Sequence, residues 1–258
     1  MNKSSKSFSG APYTDAFYYS QSDRSYQSSA YVLPVVLSVV PAKSAIDVGC
    51  GVGTWASRLL EYGVADVLGI DGDYVNRDLL RIPRESFQAY DLSKPITIDR
   101  EFDLAVCLEV AEHLPPSRSG GLVKDLTKLA PVVLFSAAIP GQGGTDHINE
   151  QYLSYWAGLF RAHEYVLLDI LRPTLWNDER CDWWYRQNAV VFTHKDNPLS
   201  RLQVESVVDC VHPRLFEIKR EQCEVAPGAT LGALLGALPG SLSRSLRKRL
   251  GRTLARLG

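Results

Sequence analysis

Apolar positions along the chain cluster into short runs at residues 45–48, 67–70, 86–90, 102–108, 131–137, 164–170 and 188–193, and between most of these runs they recur at helical spacing. Short apolar runs bounded by turn residues read as strands, and strands alternating with helices fold as a mostly parallel sheet covered on both faces. The pattern predicts an α/β, Rossmann-like, seven-stranded doubly wound sheet. Ahead of the first run, Phe17, Tyr18, Tyr26, Tyr31, Leu33, Val36, Leu37 and Val40 predict one or two helices, a helical N-terminal cover. Residues 1–13 are Ser/Lys-rich with little to bury, and disorder is expected there.

Past Lys195 the pattern changes. Residues 196–240 mix short apolar stretches with Pro and Gly and suggest no fold, while residues 241–258 carry Arg244, Arg247, Lys248, Arg249, Arg252 and Arg256 with no acid. Leu242, Leu246, Leu250, Leu254 and Leu257 share one helical stripe. Such a helix either docks on anionic lipid, a polyanion or an acidic partner, or packs its stripe on its own domain. The expected domains are a disordered 1–13, a catalytic domain over 14–195 and a C-terminal extension over 196–258 ending in this basic amphipathic helix.

The most informative stretch is residues 44–73, SAIDVGCGVGTWASRLLEYGVADVLGIDGD. It reads as strand, glycine-rich turn, helix, and a second strand whose tip carries Asp71. Closely spaced glycines let the backbone turn sharply and let a ligand touch it where a Cβ would clash. An acid after the second strand can accept from both hydroxyls of a ribose. The unit therefore reads as a site for an adenosine-bearing cofactor. A dinucleotide fingerprint wants Gly or Ala three residues after the second glycine, and that position, counted from Gly49 and Gly51, is Thr54.

Asp47-x-Gly49-x-Gly51-x-Gly53 instead resembles motif I of the class I S-adenosylmethionine (AdoMet) methyltransferases, and two further landmarks follow in order. Tyr90-Asp91-Leu92 resembles the acid at the adenine edge, and Phe102 to Glu109 resembles the fourth strand and its tip. The resemblance implies that Asp47, Gly49, Cys50, Gly51, Gly53, Asp71, Gly72, Asp91, Leu92, Leu108 and Glu109 bind AdoMet. It also implies an antiparallel terminal strand, since the last two runs lie close together around the loop 172–185.

Composition narrows the class further. A formal net charge of -1 gives no global field toward nucleic acid or membrane, and 258 residues with 45% hydrophobic content suffice for one well-cored α/β domain. Cys50, Cys107, Cys181, Cys210 and Cys223 show no paired spacing, which suggests reduced thiols and a cytoplasmic protein. The longest apolar run, 31–42, is interrupted by Pro34 and is too short to span a bilayer.

Two segments offer groups that could align an acceptor and manage its proton. The first, Glu109 to Pro116, lies just past the fourth strand; as a helical turn it would put Glu109, Glu112 and His113 on one face. The second, Gly141 to Gln151, is glycine-rich and leads through His147 into an amphipathic helix with Tyr152, Tyr155, Trp156 and Phe160. The Glu-x-x-Glu-His element is similar to that of ubiquinone-pathway O-methyltransferases and of small-RNA 3′-end 2′-O-methyltransferases. The second likeness extends to Asp146-His147 and to Glu150-Gln151 through Trp156-Ala157, and implies a Mg²⁺ or Mn²⁺ site of Glu109, Glu112, His113 and His147. Methyltransferases also carry Glu-His here without metal, and then Glu109, His113 and His147 would be the catalytic groups. The run 28–193 also resembles bacterial methyltransferases associated with saccharide or natural-product tailoring. The expected activity is O-methylation of a small-molecule or saccharide hydroxyl, with RNA 2′-O-methylation and a non-catalytic AdoMet-binding subunit as alternatives. The near-neutral charge argues against nucleic acid. Trp176, Trp183, Trp184 and Tyr185, with Arg172, Arg180 and Arg186, could wall an acceptor pocket or cap the sheet.

Overall fold

The computed structural model describes residues 15–223, and their side chains from 24 to 221. The N-terminal segment 1–13, the basic helix expected at 241–258, the side chains of Phe17 and Tyr18, and Cys223 as a thiol lie outside the described residues. One sheet of seven strands carries the fold: β1 (Ser44–Val48), β2 (Asp66–Asp71), β3 (Phe87–Ala89), β4 (Leu104–Leu108), β5 (Val132–Ser136), β6 (Tyr165–Leu168) and β7 (Val190–His194), in the order β3-β2-β1-β4-β5-β7-β6. The first five pair in parallel, and β7 runs antiparallel to both β5 and β6. Each expected strand is present: β1 and β2 run slightly longer than their apolar runs, β3 to β6 are shorter, and β7 begins and ends later.

Side-chain alternation along buried strands sends neighbours to opposite faces. Ile46, Val48, Ala105, Cys107, Val133 and Phe135 pack on one side with α3 (Ser119–Leu129) and α4 (Leu153–Arg161). Ala45, Leu104, Val106, Val132 and Leu134 pack on the other with α1 (Asp15–Val39) and α2 (Thr54–Glu61). The N-terminal cover is one helix, with Pro34 inside it. Two short helices follow β6, α5 (Arg172–Leu175) and α6 (Trp183–Asn188). The stretch left without a fold from sequence contains α7 (Pro213–Cys223), in a unit of its own that begins after His212. Among the described residues no helix is long and apolar enough to cross a membrane.

Strand order reverses between β1 and β4, and beyond the carboxyl ends of strands at such a point open α/β sheets bind their ligands. One buried ion pair sets the rim of that crevice. Arg118 meets Asp125 at 2.5 Å and donates to the Leu92 and Lys94 carbonyls, fastening the segment after β3 to α3. Removing one partner of a buried pair of this kind costs roughly 3–5 kcal/mol, since the other charge is left uncompensated.

Candidate active site

After Val48 the chain turns through Gly49 (φ 79°), Gly51 (φ 55°) and Gly53 (φ 81°) into α2. The three glycines differ in purpose. A Cβ at Gly49 would overlap the Val110 side chain and one at Gly53 would crowd Ile82, whereas at Gly51 it would meet no protein atom within 4 Å. Gly51 borders a cavity of about 1020 Å³, so the space in front of it is room for a ligand. Gly49, Cys50, Asp71, Gly72, Asp91, Leu92, Leu108, Glu109, His113 and His147 also line this cavity.

Asp47, Gly53 and Glu112 do not. The Asp47 carboxylate lies behind the loop, where it accepts from the Ala56 amide at 3.2 Å and so ties the start of α2 to β1. Burial, with the Asp71 charge adding to it, pushes its pKa up to about 7 against the pull of that amide. Asp71 is fully engaged. Its Oδ2 accepts from the Gly51 amide at 2.7 Å, and its Oδ1 from the Gly72 amide and the Tyr74 hydroxyl, both at 2.6 Å. Asp91 stands exposed at the rim of the cavity, where the Ser93 hydroxyl and Lys94 hold it below the ordinary carboxylate range.

The opposite wall corrects one expectation. Residues 111–113 form a single 3₁₀ turn, and Glu109 precedes it with φ 54°, so Glu109 and Glu112 do not share a helical face. The Glu109 amide donates to the Ser136 hydroxyl at 3.0 Å, while its carboxylate accepts from Gln142 Nε2 at 3.1 Å and Asn188 Nδ2 at 3.2 Å. Burial raises its pKa against the pull of those donors. Glu112 is buried, and neither carboxylate oxygen has a hydrogen-bond partner. Burial first and the Glu109 charge second hold its pKa well above the usual carboxylate range.

The Glu112 backbone carbonyl accepts from the Ile148 and Asn149 amides at 2.9 and 3.0 Å, which draws the 141–150 loop onto the 3₁₀ turn. That contact brings His147 beside His113, ring edge to ring face, with centroids 4.9 Å apart. Glu150 then fixes the His147 ring: its Oε1 lies 3.0 Å from Nδ1, and the same carboxylate accepts from the Gly141 and Gly143 amides at 2.8 and 2.6 Å. A Cβ on Gly144 would collide with that ring, so the glycine is needed for close approach. Burial, then His147, lowers the His113 pKa. For Glu150, burial acts upward but His147 and the two amides outweigh it.

Ligand atoms of Glu112, His113 and His147 lie within 4.8 Å of one another. Two imidazoles and a carboxylate suit a divalent transition ion or Mg²⁺, and the unpartnered Glu112 oxygens fit that reading. Glu109, the fourth ligand the resemblance implied, is outside the group.

Trp183, Trp184 and Tyr185 close the cavity, with Tyr185 bonded to Ser25 of α1 at 3.0 Å. None of the three arginines expected nearby lines the cavity: Arg172 is held by Asp169, Arg180 by Asp178, and Arg186 donates to the Trp176 carbonyl. Trp176 packs on His212 instead. Sequence reading gave no role to Tyr74, Gln142 and Asn188, and took Glu150 only as part of a resemblance. Glu150, three residues after His147 in a glycine-rich loop, carried a readable signal; Asn188 carried none, because only the return of β7 beside β5 brings it to Glu109.

A family model described as a methyltransferase domain matches residues 21–188. Two curated relatives are similar. The ubiquinone biosynthesis O-methyltransferase of Acinetobacter baylyi is 31% identical over 134 residues, 48% of this chain and 51% of that protein. The enzyme of the same name from Methylococcus capsulatus is 35% identical over 145 residues, 51% of this chain and 54% of that protein. The chain thus spans about half the length of the curated relatives it matches. Among solved structures, the methyltransferase domain of bacterial CtHen1 shares the fold with a TM-score of 0.50 at 24% identity, over 66% of this chain and 99% of that one.

Proposed function

The chain belongs to the methyltransferase-domain family of class I AdoMet-dependent enzymes, and from that premise we propose that it methylates a hydroxyl oxygen of a small-molecule or saccharide acceptor. The observation that carries this reading is a single cavity. It joins the glycine loop and Asp71 at one end to His113 and His147 at the other. AdoMet, when bound, supplies a methyl group activated on a sulfonium. The chain's own groups then divide the work. The loop amides and the open face of Gly51 receive the cofactor backbone, Asp71 accepts from the ribose, and Glu109 borders both ends.

A lowered pKa keeps the His113 imidazole neutral near pH 7, so that it can accept the hydroxyl proton as the oxygen attacks. Oxygen as the acceptor atom agrees with the O-methyltransferase names of the curated relatives. Buried free thiols at Cys50, Cys107 and Cys181 fit a reducing compartment, the cytoplasm.

A second reading uses the same groups as ligands. The unpartnered Glu112 carboxylate favours a divalent cation held by Glu112, His113 and His147, which would polarise the hydroxyl and lower its pKa. Calorimetry with AdoMet tests the shared premise, and no binding would sink it. Methyl transfer assayed over saccharide, phenolic and RNA acceptors, with EDTA and with Mg²⁺ or Mn²⁺ restored, separates the branches. Chelator-insensitive turnover lost in His113→Ala supports acid-base chemistry. Turnover lost to EDTA and recovered with the ion supports the metal. AdoMet binding without turnover on any acceptor points to a regulatory subunit.

A further inference from the structure

We propose that the acceptor is a neutral or cationic ring compound and carries no phosphate or carboxylate. This rests on the reading of the cavity as an AdoMet-plus-acceptor site. At about 1020 Å³ the cavity sits at the top of the ~300–1,000 Å³ typical of ligand pockets, room for two occupants. Among the described residues that line it there is no Lys and no Arg, while Asp71, Asp73, Asp91, Glu109 and Asp146 all do.

The cations that come near are committed elsewhere. Arg24 pairs with Asp182 at 2.5 Å and lies over the Trp184 ring at 4.7 Å, Arg180 pairs with Asp178, and Lys94 pairs with Asp91 at the rim. Asp71 and Asp91 belong to the cofactor end. Asp73 stands beside Asp71 in the chain and Glu109 is already held by Gln142 and Asn188, which leaves the exposed carboxylate of Asp146 as the acid beside His113 and His147. On the acid-base reading, with no cation between Glu112, His113 and His147, an anionic group brought there would lose its water and face Asp146 with no lining guanidinium or ammonium to replace the hydration.

What the cavity does offer is flat aromatic surface. Trp183 and Trp184 meet edge to face at 5.6 Å, and Tyr185 follows. Such faces receive the carbon face of a sugar or an aromatic ring, and they attract a cation more than an anion. Asp146, held at φ 58° in the loop beside His147, adds to that preference. The same field disfavours an RNA 3′ end, whose every linkage carries a phosphate.

The test uses the full chain loaded with S-adenosylhomocysteine and three compounds that share one reacting pair of hydroxyls: catechol, dopamine and 3,4-dihydroxybenzoate. A matched pair, a methyl glucoside and its 6-phosphate, and a short RNA complete the panel. Binding is read by saturation-transfer NMR and methylation with AdoMet by mass spectrometry. The neutral and cationic members are expected to bind and react at least about tenfold better than their anionic counterparts, the factor that ~1.4 kcal/mol of like-charge repulsion produces. Asp146→Asn, which tolerates the left-handed backbone, is expected to shrink the advantage of dopamine over catechol.

Methylation of dihydroxybenzoate, the sugar phosphate or the RNA at rates equal to or above the neutral partner would overturn the inference, with AdoMet binding intact. A panel that neither binds nor reacts, on a protein that binds AdoMet, would overturn the ring-acceptor class as well. Failure to bind AdoMet at all would instead bring down the underlying reading.

Discussion

Residues 47–74 build the glycine-turn side of the proposed cofactor end from one continuous β-turn-α-β stretch, held mainly by backbone amides on Asp71 and Asp47. The acceptor end draws Glu109, Gln142, His147 and Trp183 from separate stretches of chain and joins them through side chains: Glu109 to Gln142 and Asn188, His147 to Glu150. Backbone turns tolerate little change in residue type at the glycines but are indifferent to distant mutations. Side-chain networks have the opposite weakness: each member can be replaced without unfolding the chain, and each replacement moves the chemistry. The two ends should therefore separate experimentally, one failing in stability and affinity, the other in turnover.

The largest effect is expected at Gly49→Ala. Positive φ costs about 1–2 kcal/mol for a residue with a Cβ, and the overlap with Val110 adds about 1–3 kcal/mol of overpacking. Thermal and urea melts should show a loss of roughly 2–5 kcal/mol; a mutant as stable as wild type would break the claim that this turn is backbone-determined.

Asp47 comes next. The folded chain holds a proton there up to about pH 7, whereas the unfolded aspartate releases it near pH ~3.9. The folded state binds more protons across that window, so the contribution is full below about pH 4 and lost as pH rises through about 7. Asp47→Asn keeps an acceptor for the Ala56 amide and is expected to gain roughly 1–3 kcal/mol at pH 8 and almost nothing at pH 4. Parallel pH profiles for mutant and wild type would show that the carboxyl is solvated.

At the other end, Glu150→Ala releases the His147 ring and the two loop amides that the carboxylate organises. Turnover should fall about 10–100-fold, the usual cost of losing a partner that orients a functional histidine, with AdoMet affinity unchanged by calorimetry. Glu150→Gln should recover part of it, and equal losses of affinity and turnover would mean that the two ends are not separable.

The smallest effect is expected at Asp71→Ala. AdoMet affinity should weaken by about 1–2 kcal/mol, the lower part of the ~1.5–3 kcal/mol range for a hydrogen bond to a charged group because the Tyr74 hydroxyl already occupies the carboxylate, with kcat at saturating AdoMet little changed.

The same division explains what could be read from sequence. Strand runs such as Leu104–Leu108 and the glycine turn are local, since pattern and spacing alone fix buried strands and tight turns. The left-handed backbone at Glu109 is not local. It follows from anchoring its amide on Ser136 of the neighbouring strand, a tertiary demand that overrides the helical spacing of Glu109 and Glu112. Arg172 is a similar case. Its position in an aromatic, arginine-rich loop suggested a ligand contact, yet Asp169 and the Val208 carbonyl take it into the interior. His147 was found because its loop is glycine-rich, but its closeness to His113 depends on two amides reaching the Glu112 carbonyl. Pairings between segments far apart in the chain leave no periodic trace.

The Tyr74 hydroxyl on Asp71 has a kinetic consequence. A ribose arriving at that carboxylate exchanges one O–H donor for another, so the enthalpy of the new bond is largely offset by the bond given up. The half-exposed phenol side chain has to rotate aside first, a movement that exposed rings make within nanoseconds and that leaves the association rate set by diffusion. On release the phenol returns to the oxygen the ribose leaves, so the carboxylate never stands bare. On the proposed assignment of Asp71 to the ribose, product escape would be assisted by an internal competitor, and an enzyme whose spent cofactor must leave after each turnover would gain speed from a ribose contact that is replaceable.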